Sequence, residues 1–236
     1  MNKYISLISM CSMFFTGSLC FAQVSTASMQ RQIATQMHAK QAEVQITLDW
    51  TQEVEMREVM LRPVRGFVHP SKIVLTTRQK TTHCRGMLIQ TGQVVTPALC
   101  VRNGNWNLSK VTLAFSNGKQ GIGAAGSVSV KEDVAYIKVC PKLTQGLVGV
   151  PVALTPKGKS LKEHFGDKVM NTLSSFFHSK GVVQSQRYFR PGKVHYSDST
   201  LQVGDGILYE GKLVALVKKN IKHYRSLSEK PLAILR

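Results

Sequence analysis

The chain has 236 residues, 31 Lys and Arg against 13 Asp and Glu, and 43% hydrophobic residues. That length and apolar content suffice to bury a core and exclude a chain disordered throughout; 18 Gly and 8 Pro exclude a collagen-like repeat, and five Cys exclude a small disulfide scaffold. A formal charge of +18 excludes an indifferent surface, because a charge of this size biases encounters towards anionic partners.

The N-terminus reads as an export signal. One charge, Lys3, precedes an uncharged apolar run from Tyr4 to Phe15, and small residues at Cys20 and Ala22 suit cleavage after Ala22. The run is too short for a comfortable membrane span, which needs ~20 apolar residues. Lipidation at Cys20 is disfavoured by the bulky Leu19 before it. Cleavage removes Lys3 and no acid, leaving +17, and retains Cys84, Cys100 and Cys140. In an oxidising compartment, one disulfide and one free thiol is the simplest arrangement of these three. The expected localisation is periplasmic or secreted, with no transmembrane segment after signal cleavage.

Residues 24–42 are polar, with Met29, Ile33 and Met37 at helical spacing, which predicts a short amphipathic helix. Val44, Ile46, Leu48 and Trp50 alternate with polar residues and predict a strand. Five of the thirteen acids fall here, at Glu43, Asp49, Glu53, Glu55 and Glu58, whereas Val59 to Lys131 holds ten Lys and Arg and no acid. That charge step suggests a boundary near residue 62. Short strand-like runs follow at 72–77, 86–90, 93–96, 110–115, 126–130 and 134–139. Others lie at 150–154, 167–173, 181–185, 206–209 and 212–217, with turn residues between them. The pattern argues an all-β barrel or sandwich.

Cys84-Arg85-Gly86-Met87-Leu88-Ile89, followed by Val94-Val95-Thr96-Pro97-Ala98-Leu99-Cys100, resembles the trypsin-like (chymotrypsin-fold) serine peptidases. Asp133 to Val139, Gly166 to Val169, and Gly204-Asp205-Gly206 with Gly211 to Leu216 resemble that family's later landmarks in order. The resemblance covers roughly residues 66–225. It implies two six-stranded antiparallel β-barrels with a short helical N-terminal extension. The organisation would be 1–22 signal peptide, 23–62 extension, 63–150 first barrel, and 151–236 second barrel with a C-terminal tail. It also implies a Cys84–Cys100 disulfide.

The same resemblance implies that the chemistry is lost. Catalysis needs a serine nucleophile, an imidazole base and an orienting carboxylate. The triad-equivalent positions are Leu99, Asp133 and Gly206, so only the carboxylate remains. Asp205 would lack the new N-terminus that it pairs with in the family. The alternative is a divergent serine or cysteine endopeptidase with a replaced nucleophile and base, for which Cys140 and seven His (38, 69, 83, 164, 178, 195 and 223) are the available groups. No His-x-x-x-His or Cys-x-x-Cys spacing supports a metal site, and neither metal nor cofactor is expected.

Basic residues concentrate in 59–131, in Lys180, Arg187, Arg190 and Lys193, and in Lys218, Lys219, Lys222 and Arg225. The last cluster is the expected anion-binding site, for an anionic cell-envelope polymer, lipopolysaccharide or an acidic protein. Nucleic acid is disfavoured, since aromatics are 7% and do not interleave with the basic runs. The resemblance, with the export signal and the charge, implies an exported, proteolytically inactive peptidase homologue that works as a binding or scaffold protein.

Overall fold

The computed structural model describes Met37 and residues 39–57, 73–184, 200–221, 223–224 and 228–236. The chain divides into a unit of residues 1–40 and a unit of residues 41–236, and the elements below belong to the second. The expected signal peptide lies outside the described residues.

Alternation builds the first strand. Val44, Ile46, Leu48 and Trp50 are buried on one face of β1 (Glu43–Arg57), and the indole N–H of Trp50 donates to the Thr82 hydroxyl at 2.8 Å. β1 pairs along its whole length with β2 (Ile73–Leu88), and its other edge takes β4 (Asn107–Phe115). With β3 (Gln93–Pro97), β5 (Gln120–Ala124), β6 (Val128–Lys131) and β7 (Val134–Lys138), these form an antiparallel sheet of seven strands in the order β5-β4-β1-β2-β3-β7-β6.

The ends of that sheet are joined by Ala125–Ser127, a single 3-10 turn between β5 and β6. So short a link spans at most about 14 Å, so the sheet must curl strongly. It does not close: β5 and β6 are the outermost strands and do not pair with each other.

The C-terminal half is built differently. A short helix, α1 (Pro141–Thr144), precedes an extended stretch in which Val150 bridges to Ile89 and Val152 to Leu213. Helix α2 (Leu161–Phe165) starts at a capping box. The Ser160 hydroxyl accepts the Glu163 N–H, and the Glu163 carboxylate accepts the Ser160 N–H. Helix α3 (Asp167–Ser179) buries Val169, Leu173 and Phe177, spaced four apart on one stripe. After β8 (Val183–Gln184) come β9 (Gly206–Tyr209), β10 (Lys212–Val217), β11 (His223–Tyr224) and β12 (Leu232–Ile234). A three-stranded sheet, β12-β10-β9, has β10 at its centre, buried from Leu213 to Val217. Its residues serve two cores: Leu213 and Leu216 pack with the large sheet, and Val214, Ala215 and Val217 pack with α2 and α3.

This architecture overturns the two-barrel expectation. The described residues form one open, curled seven-stranded sheet, a small three-stranded sheet with helices and a parallel pair of β8 and β11, not two six-stranded barrels. The run 167–173, read above as a strand, is the first half of α3. Its buried residues, Val169 and Leu173, are four apart, and the period becomes plain only when Phe177 is included. The fold is mixed α and β, and the trypsin-like resemblance fails with it. Neither an inactive peptidase homologue nor an active serine or cysteine endopeptidase has support in this fold.

Candidate functional site

The positions singled out by the resemblance do not make a catalytic cluster. Leu99 lies in the 3-10 turn Ala98–Cys100 with 61% of its surface exposed. Asp133 lies in the turn between β6 and β7. It reaches the Leu99 region through its backbone, where its carbonyl accepts the Ala98 N–H at 2.7 Å. Gly206 opens β9 and faces Met87 and Leu213, which a side chain at this position would meet at 2.7 to 3.0 Å. Cys140 is an exposed free thiol directly before α1, and the His83 ring meets the Thr47 hydroxyl at 3.2 Å. Cys84 and Cys100 are joined in a disulfide. Among the described residues, no three His, Cys, Asp or Glu side chains are grouped to hold a metal ion.

Asp205 is far from partnerless. It is only 2% exposed, and its carboxylate accepts from Arg85 Nη1 at 2.9 Å and from the Gln202 N–H at 3.1 Å. Lys180 Nζ stands at 3.2 Å from its second oxygen. The three charges come from β2, from the end of α3 and from the loop before β9. The chain there is fixed on both sides: Arg85 N–H donates to the Val203 carbonyl at 2.9 Å, and the Thr96 hydroxyl to the Arg85 carbonyl at 2.8 Å. Gly204 has φ of 96°, and a side chain there would collide with the Arg85 carbonyl. This cluster bolts the C-terminal half to β2, beside the disulfide.

The expected anion-binding cluster is divided. Lys218 Nζ donates to Asp133 Oδ2 at 2.7 Å, so this cation is committed to the β6–β7 turn. Lys219 is exposed, and Lys222 and Arg225 lie outside the described residues. The neighbouring acid of the same turn, Glu132, pairs with Arg236 at 3.6 Å. Glu132 also takes a left-handed backbone, with φ of 53°, unusual for a side chain other than Gly or Asn.

Beside this turn lies a surface groove of about 500 Å³. Thr91, Gln93, Ser129, Val130, Lys131 and Tyr136 contribute from the large sheet and its β2–β3 turn. Val152 and Leu154 contribute from the extended stretch after α1, together with Arg236. Leu154 is 55% exposed, so the apolar wall is open to a ligand. Burial, and then the Glu132 carboxylate, push the Tyr136 phenol above its ordinary value, so it remains a neutral hydroxyl donor at physiological pH. No described carboxylate forms an ion pair with Lys131, whose ammonium is exposed at the rim. Lys131, with Arg236 beside it sharing its charge with Glu132, and several neutral donors near Val152 and Leu154 suit an anionic ligand that also carries apolar groups.

Of these residues, Lys131 falls within the basic segment noted in the sequence and Tyr136 within a strand read from it. Nothing in the sequence pairs them with Leu154 or Arg236, which the fold brings together.

No protein-family model matches the chain, and no curated protein matches it in sequence. Among the described residues, no helix is long and apolar enough to cross a membrane.

Proposed function

We propose that this chain is an exported binding protein that holds an anionic cell-envelope polymer or an acidic protein in the groove between the large sheet and the 152–154 stretch. The observation that carries the reading is the company Lys131 and Arg236 keep there: neutral donors from Tyr136, Ser129 and Gln93, and the exposed side chain of Leu154. The formal charge of +18 supports it from a distance by drawing polyanions to the whole surface. The Cys84–Cys100 disulfide supports export, because such bonds persist in oxidising compartments.

The test is a titration with fluorescent polyglutamate in low salt. Lys131→Glu combined with Arg236→Glu is compared with Arg78→Glu combined with Lys110→Glu, which alters net charge equally at exposed sheet positions. Each exposed charge contributes up to about 1 kcal/mol, so the groove pair is expected to weaken binding about tenfold more than the control pair. Equal weakening would mean that the charge acts only as a general property of the surface.

A further inference from the structure

The groove runs beside a sheet edge. β6 is the outermost strand, and Ser129, Val130 and Lys131 all line the groove. Successive strand residues point to opposite faces, so Ser129 and Lys131 share one face and Val130 between them meets the groove from its backbone side. The register states which backbone groups lie there. Glu132 and Asp133 make a two-residue turn, and Lys131 opposes Val134, so that pair must exchange both hydrogen bonds. Ser129 and Tyr136, two steps back, are the next such pair. Val130, and Val128 beyond it, therefore turn N–H and C=O away from β7, towards the open edge. Among the described residues, no strand pairs with that edge.

From this geometry, and resting on the anion-binding reading above, we infer that the groove takes an acidic, extended polypeptide as an eighth strand along β6. Val130 would exchange N–H and C=O bonds with one residue of that strand. Alternate acidic side chains would reach Lys131 and Arg236, and an apolar one would cover Val152 and Leu154. Charge complementarity selects an acidic strand over a second copy of this chain, because two copies at +18 each repel. The usual guards of a sheet edge, such as Pro or an inward-turned charge, are missing from Val128–Ser129–Val130, and its one Lys stands at the rim. Backbone pairing with pockets for alternate side chains is an established way to bind extended peptides. It distinguishes a polypeptide from an acidic polysaccharide or a lipid headgroup, which have no strand of amides to offer.

The experiment uses fluorescence anisotropy of a short synthetic peptide of alternating Glu and Val with the whole protein. Two further peptides carry N-methyl groups on one or the other set of alternate amides. One methylated peptide is expected to bind at least about tenfold more weakly than the parent, and the other to bind like the parent, since only every second amide faces β6. A Lys and Val peptide is expected not to bind. Val130→Pro, which deletes the edge donor, is expected to weaken the parent peptide to a similar degree. Should that variant misfold, the methylated peptides decide alone. Equal binding by both methylated forms, or binding of heparin or lipopolysaccharide with none of the peptide, would overturn strand addition. If polyglutamate still depends on Lys131 and Arg236 in that case, the anion-binding reading stands and only the eighth strand falls. If polyglutamate is indifferent to them, the groove reading itself fails.

Discussion

At the scale of single residues, Asp205 ties the loop before β9 to β2 and to the end of α3. Its buried carboxylate meets two cations and a backbone N–H. Removing one partner from a buried ionic cluster leaves the others unpaired in a poor solvent. Asp205→Ala is therefore expected to destabilise the protein by about 3 kcal/mol, the low end of the range for buried pairs, because Arg85 and Lys180 keep some contact with water. Urea unfolding would show it as a lower midpoint; an unchanged midpoint would mean that the cluster contributes no net stability. The surface pair of Lys218 and Asp133 is different. Asp133 is well exposed, so Asp133→Asn should leave stability nearly unchanged. The sequence singled out both acids, yet their surroundings were illegible in it. Arg85 and Asp205 are separated by 120 residues, and nothing local to Gly204-Asp205-Gly206 names β2 as the partner.

Individual elements show why some of the fold could be read and some could not. β1 and β10 announce themselves, one by strict alternation and the other by an unbroken apolar run. α3 was obscured, because a strand and a helix look alike over seven residues with three apolar positions. The disulfide joins β2 to the turn after β3 across a sequence separation of 16, and a loop of that size stabilises by ~3 kcal/mol on the chain-entropy model. Cys100→Ser is expected to lower the unfolding midpoint accordingly. Alkylation without reduction should label Cys140, the exposed thiol, and spare Cys84 and Cys100. At α2, the Ser160 backbone N–H and then its hydroxyl hold the Glu163 carboxyl below its ordinary value. A carboxylate with a depressed folded value stabilises at pH above its unfolded value and loses that contribution as pH falls through the folded one. Glu163→Gln should therefore lower the melting temperature at neutral pH, and the gap to the wild type should narrow under acid. A gap that does not change with pH would argue against the Glu163 half of the box.

For the whole molecule, the question is whether its charge has a place. A uniformly basic surface binds polyanions weakly everywhere, and salt screens it over ~8 Å at physiological ionic strength. The groove could not be read from the sequence, because its walls come from residues 91–93, 129–136, 152–154 and 236, joined only when the C-terminal half lies against the curled sheet. Hydrogen–deuterium exchange of the whole protein, with and without polyglutamate, tests that localisation most directly. The account predicts slowed exchange in residues 128–136 and 152–154, with the exposed stretch of β2 at 76–81 unchanged. Protection spread evenly over the basic segments, or centred on 76–81, would contradict it.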